Sequence, residues 1–152
     1  MNFLRKLLFP FSLLYGGITA LRNLLYNKGF LKSSTYDFPV ICVGNLSTGG
    51  TGKSPMIELL VSFLKDNHKI AVLSRGYKRK TSGYREVSTT NAVEEVGDEP
   101  LQFKKKFPEI AVAVCEDRRT GIEKLQNKAD VILLDDAFQH RKVKASLNIL
   151  LT

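Results

Sequence analysis

The chain changes hydrophobic rhythm near residue 37, and that change divides it in two. Upstream, Phe3, Leu7, Phe11, Leu14, Ile18, Leu21 and Leu25 recur every three or four positions, the period of one helical face. Pro10 falls inside that stripe, where its missing N–H predicts a kink or a restart. Downstream, short apolar runs at residues 40–43, 69–74, 110–114, 130–134 and 146–151 read as buried strands, with a shorter strand at 84–88. Residues 56–64, 101–107 and 117–128 carry helical periodicity between them. Strands alternating with helices predict an α/β unit with a mostly parallel sheet flanked by helices. The expected organisation is an amphipathic helical segment over residues 1–36, followed by an α/β domain over residues 37–152.

Composition agrees with one ordinary folded domain. The 152 residues are 43% hydrophobic and 25% charged, which excludes a disordered chain. Lys and Arg total 23 against 15 acids, a net charge of +8, and such an excess suits an anionic partner. Its distribution narrows the choice. No acid precedes Asp37, whereas Arg5, Lys6, Arg22, Lys28 and Lys32 do. Much of the excess thus belongs to the amphipathic segment, which points to an anionic membrane surface and away from nucleic acid. The longest uncharged stretch, residues 7–21, has 15 residues, whereas a bilayer span needs about 20. A basic start and an apolar run also describe a signal peptide, but no small-residue cleavage site follows and the helical stripe resumes past Arg22. Two readings remain: a helix lying in the membrane interface, or one packed on the protein's own core. The stripe is more apolar than a single core face requires, which favours the interface. Cys42 and Cys115 sit in apolar runs without metal-type spacing, and read as buried reduced thiols.

The candidate chemistry lies between strand and helix. Residues 44–55 read Gly-Asn-Leu-Ser-Thr-Gly-Gly-Thr-Gly-Lys-Ser-Pro. A glycine-rich loop entering a helix turns its backbone N–H groups and the helix dipole toward phosphate oxygens. Lys53 then reaches the β- and γ-phosphates, and the Ser54 hydroxyl is placed to ligate Mg²⁺. Ser47 stands where the strict phosphate-loop pattern has glycine, so a plain glycine turn is the competing reading. A second signal supports the loop. The apolar run at 130–134 leads into Asp135-Asp136, and a carboxylate at such a strand end holds Mg²⁺ in nucleotide sites. Two adjacent carboxylates there resist explanation by packing. The basic loop at residues 75–80 follows another strand, where phosphate contact and simple solvation are both open. Asp98 and Glu99 read first as a helix-start signal. His140 is a hydrogen-bonding candidate without an assigned role.

Together these pieces resemble the N-terminal half of the tetraacyldisaccharide 4′-kinase family, the lipid A 4′-kinases of Gram-negative bacteria. The resemblance rests on Gly44-Asn45-Leu46, on residues 49–55, on Ser74-Arg75-Gly76-Tyr77, on Gly97-Asp98-Glu99-Pro100 and on residues 134–140, with the amphipathic start around residues 13–16. It implies a P-loop NTPase-like fold and an ATP- and Mg²⁺-dependent kinase acting on the 4′-hydroxyl of a lipid A disaccharide precursor. It implies ATP phosphate contacts from Ser47, Thr48, Gly49, Gly50, Thr51, Gly52, Lys53 and Ser54, with Lys53 as the critical cation. It implies Asp98 as general base, Asp135 and Asp136 with Ser54 at the metal, and Asp136 orienting the catalytic group. It places the protein peripherally on the cytoplasmic face of the inner membrane. Ser54 replaces the threonine of many members and Ala137 a common glycine, both small changes. Family members run about twice this length with a second α/β lobe, so a truncated chain is expected. A partition-type membrane ATPase is the alternative, although Thr48 stands where that class carries a signature lysine. A non-catalytic basic module would leave Lys53 and Asp135-Asp136 unexplained.

Overall fold

The computed structural model describes the backbone of residues 2–45 and 52–152, and side chains from Tyr15 onward within those ranges. Its internal contacts divide the chain into residues Met1–Ser33 and Ser34–Thr152.

The first unit is helix α1, Asn2–Asn27, which closes in a turn at Gly29. The helix runs through Pro10 without the restart that the sequence suggests. Proline forfeits its own N–H bond, and a long helix retains enough of the others to continue. Ile18, Leu21 and Leu24 are exposed, at 60%, 57% and 47%. No helix among the described residues is long and apolar enough to cross a membrane.

The second unit contains strands β1 (Val40–Asn45), β2 (Ile70–Ser74), β3 (Arg85–Glu86), β4 (Ala111–Val114), β5 (Val131–Asp135) and β6 (Leu147–Leu151). Its helices are α2 (Lys53–Leu64), α3 (Val93–Val96), α4 (Asp98–Lys106) and α5 (Arg118–Leu125). The strands form one sheet in the order β3-β4-β2-β5-β1-β6. Every pairing is parallel except β3 with β4. Alternation of side chains builds two core layers. Val43, Val72 and Leu133 join Ile57 and Val61 of α2 and Phe103 of α4 on one face. Cys42, Leu73, Ile132 and Leu134 meet Ile122 and Leu125 of α5 on the other. Burial on both faces is why the central strands read as continuous apolar runs.

Three details differ from the sequence reading. The four-residue helix α3 lies in a stretch assigned to no element. Asp98 and Glu99 are themselves the first turn of α4, because Pro100 fits an early helical position where no N–H is needed. β6 is a strand as expected but not a buried one: it forms the sheet edge, and Leu147 and Leu150 are exposed. Both cysteines are free and buried. Burial pushes the Cys42 thiol up to about 11, so it stays protonated at neutral pH.

Candidate functional site

In a parallel sheet all strands deliver their carboxyl ends to one edge, and ligands bind there. Here β2, β5 and β1 are successive neighbours, so Ser74, Asp135 and Asn45 converge by topology.

Ser47, Thr48, Gly49, Gly50 and Thr51 lie outside the described residues. Gly52 caps α2 with a φ of 82°, and its carbonyl accepts from Met56 N–H. Lys53 and Ser54 occupy the first turn of α2, where the macrodipole is positive. The Lys53 ammonium lies 3.6 Å from Asp136 Oδ1. The Ser54 hydroxyl donates to Glu99 Oε1 at 2.5 Å. Thus α2, α4 and the end of β5 meet around two polar contacts.

Asp135 is the last residue of β5 and is 2% exposed. Ser74 donates to its Oδ2 at 3.0 Å, whereas Oδ1 has no hydrogen-bond partner. Burial raises its pKa to about 6, with the nearby charges of Glu99 and Asp136 acting in the same direction; Ser74 and Arg118 oppose the rise. A buried carboxylate with one vacant oxygen and like charges beside it is a poor structural element and a good cation ligand. Asp136 is exposed and holds a left-handed backbone, φ 49°. Its N–H donates to Val43 O at 3.0 Å, anchoring the turn to β1.

Asp98 is exposed at the start of α4. It lines a groove of about 400 Å³ together with Tyr77, Lys78, Gly97 and Glu99. The groove joins the loop after β2 to the start of α4, so Asp98 borders an open space next to the carboxylate that touches Ser54. His140 lies elsewhere in the network, with Nε2 3.8 Å from Asp117 Oδ1 at the start of α5. Burial and then the Arg118 charge lower its pKa, which keeps it neutral at pH 7.

Sequence reasoning passed over three participants. Glu99 is the carboxylate that reaches Ser54, yet it read as part of a helix start. Ser74 was one residue of a family motif, and its contact with Asp135 joins two strand ends. Arg118 lay in an amphipathic helix pattern, and its burial depends on packing that periodicity does not reveal.

The residues present suit Mg²⁺. Among the described residues no three His, Cys, Asp or Glu side chains converge enough to hold a metal alone. Mg²⁺ does not require that, since it keeps waters and takes one or two carboxylates plus substrate phosphates. The vacant Asp135 Oδ1, with Asp136 and Ser54 nearby, provides such a partial shell.

Comparison with known proteins agrees with this geometry. Residues 4–152 match the family model for LpxK, tetraacyldisaccharide-1-P 4′-kinase. Tetraacyldisaccharide 4′-kinase of Flavobacterium psychrophilum is 59% identical over 155 residues, covering 100% of this chain and 45% of that protein. The Flavobacterium johnsoniae protein of the same name is 57% identical, covering 100% and 46%. A crystal structure of LpxK from Aquifex aeolicus in complex with ATP superimposes with a TM-score of 0.87 at 47% identity, over 97% of this chain and 48% of that one. The chain therefore spans less than half the length of the relatives it matches. With a family model covering nearly all of its residues and a nucleotide-type site on the expected sheet edge, the chain belongs to the tetraacyldisaccharide-1-P 4′-kinase family.

Proposed function

We propose that this chain supplies the nucleotide-binding half of a kinase that transfers the γ-phosphoryl group of ATP to the 4′-hydroxyl of a tetraacyldisaccharide 1-phosphate, the lipid A disaccharide precursor. The observation that carries the reading is the meeting of Lys53, Ser54, Glu99 and Asp136 in two contacts, 3.6 Å and 2.5 Å, beside the buried Asp135. Phosphoryl transfer asks mainly for positioning and charge neutralisation, and this set offers both.

Lys53 moves from Asp136 to the β- and γ-phosphate oxygens when nucleotide enters. Residues 47–52 contribute backbone N–H groups to the same phosphates. Ser54, Asp135 and Asp136 hold Mg²⁺, directly or through water, with Glu99 alongside. The metal, when bound, neutralises charge building on the transferring group. Asp98 takes the proton of the 4′-hydroxyl; its place on the groove beside Glu99 supports that role. The acceptor's acyl chains stay in the bilayer. Helix α1, with Ile18, Leu21 and Leu24 exposed and no acid before Asp37, suits an anionic inner-membrane surface on the cytoplasmic face.

A chimera tests the proposal: this chain followed by the remaining half of the Flavobacterium psychrophilum relative, assayed for transfer of labelled γ-phosphate to the lipid disaccharide. Transfer to the 4′ position is expected, and Lys53→Ala should reduce turnover by ~10³ or more, the scale of a cation on the transferring phosphoryl group. Near-normal turnover in a folded Lys53→Ala chimera refutes the assignment.

A further inference from the structure

Three polar or charged residues are buried among the described residues: Ser74, Arg118 and Asp135. They form one cluster. Arg118 is 2% exposed. A buried cation ordinarily pairs with a carboxylate. Arg118 instead donates from Nη1 to Cys115 O at 2.5 Å and from Nη2 to Asp135 O at 3.0 Å. Those carbonyls stand at the ends of β4 and β5, which are not neighbours, because β2 runs between them. The guanidinium therefore lies across the end of β2, where Ser74 donates to Asp135 Oδ2.

Stability does not account for this arrangement. Arg118 opens α5, where the positive end of the helix dipole disfavours a cation. Its Nε has no hydrogen-bond partner. Burying a guanidinium without a carboxylate partner carries a desolvation cost that two carbonyl acceptors offset only in part. A local rule broken with no packing gain points to function.

The gain is geometric. The peptide joining Asp135 to Asp136 is held at both ends. Its carbonyl accepts from Arg118, and its N–H donates to Val43 O of β1 at 3.0 Å. Asp136 then follows with φ 49°, a left-handed conformation that aspartate tolerates better than most L-residues and that the two held peptide ends fix in place. In that conformation its carboxylate reaches Lys53.

We propose that Arg118 is a positioning residue for the metal–triphosphate site: from the start of α5 it fixes the Asp135–Asp136 peptide, so that both carboxylates face the ligands, and it touches neither ligand itself. The inference rests on the assignment of Asp135 and Asp136 to the metal. Its signature is a loss confined to the Mg²⁺-dependent part of nucleotide affinity. A residue that merely supports the fold would weaken ATP binding with and without metal alike.

Calorimetry on the 152-residue chain, with ATP alone and with ATP plus Mg²⁺, reads that difference. Mg²⁺ is expected to tighten ATP binding to the unsubstituted chain. Arg118→Met should remove about 10–100-fold of that tightening, the usual cost of losing a group that orients a metal ligand. Affinity for ATP alone should stay within about twofold. Arg118→Lys, which keeps the charge and loses the fork, should show a smaller loss of the same kind and serves if the methionine variant does not fold. In a background with both Asp135→Asn and Asp136→Asn the Arg118 substitutions should add little, because the coupling passes through those two carboxylates. An unsubstituted chain without Mg²⁺-dependent tightening overturns the metal assignment and this inference with it. Full tightening in a folded Arg118 variant, or equal losses with and without Mg²⁺, overturns the role of Arg118 alone.

Discussion

Replacing Gly97 by alanine perturbs fold and site through one atom. Gly97 joins α3 to α4 with φ 91° and ψ 159°, a region that is essentially reserved for glycine. Holding alanine there costs about 1–3 kcal/mol. Its Cβ would also stand 3.2 Å from Gly76 Cα and 3.2 Å from Tyr77 O. Both are backbone atoms of the loop after β2, so no side-chain rotation relieves the crowding, and overpacking adds about 1 kcal/mol or more. The expected destabilisation is about 2–4 kcal/mol, or a fall in Tm of roughly 10 °C for a unit of this size. Gly83→Ala is the matched control: its φ is also positive, at 75°, but nothing lies within 4 Å of an added Cβ. That variant should lose only about 1–2 kcal/mol. Urea unfolding followed by circular dichroism measures both. Because Gly97 sets the entry of α4, the Gly97 variant should also weaken binding of ATP with Mg²⁺, by carrying Glu99 away from its place beside the proposed metal ligands. Equal losses for the two variants would refute the reasoning, since the backbone contact between the two loops would then carry no energy.

Asp98→Asn in the chimera should cut turnover sharply with little change in ATP affinity; a variant that loses only ATP affinity would mark Asp98 as a nucleotide or metal contact instead. Hydrogen bonding from Arg119 leads the causes that lower the Asp117 pKa from 3.8 to about 2, against an opposing effect of burial. The stability it contributes is present above the unfolded value, near 4, and is lost as pH falls toward 2. Thermal melts between pH 5 and pH 2, with limits set by these values, should therefore show a shallower decline for Asp117→Asn than for the unsubstituted chain, and parallel declines would remove Asp117 from the account. Deleting residues 1–33 should release the protein from anionic liposomes while leaving ATP binding in place; unchanged co-sedimentation would exclude α1 as the membrane contact.

The parts of the fold that were legible in the sequence are those set by local pattern. Residues 40–43 and 131–134 are apolar without alternation because β1 and β5 are covered on both faces, and that feature survives in one dimension. The place of Asp135 at a strand end was legible because the apolar run stops there, whereas the phosphate and metal roles of the glycine-rich loop and of Asp135-Asp136 stand as proposals from residue type and spacing. Glu99 was not, since an acid in a first helical turn is also what a capping preference produces. Only the packing of α4 beside α2 distinguishes the carboxylate that meets Ser54 from its neighbour Asp98. Arg118 was hidden for a related reason. An arginine at a helix start reads as solvated, and its burial depends on where β4, β2 and β5 end relative to one another. The strand order is likewise absent from the sequence, because β2 lies between β4 and β5 through crossovers that periodicity does not encode.

The resting contacts of the site also explain why nucleotide and metal should arrive together. Asp136 stands 3.6 Å from Lys53, and the charges of Glu99 and Asp136 both act on Asp135, whose backbone carbonyl is held by the buried Arg118. A bare triphosphate would add further negative charge to that edge and would have to draw Lys53 away from Asp136 without compensation. On the proposed function, Asp135 Oδ1, which lacks a partner, would be the oxygen that takes a divalent cation, and the cation would offset the charge that Lys53 leaves behind. Lys53–Asp136 and Ser54–Glu99 act as internal partners for groups that later turn to the ligands. On that reading they hold Lys53 and Ser54 before nucleotide binds and disfavour ATP without metal.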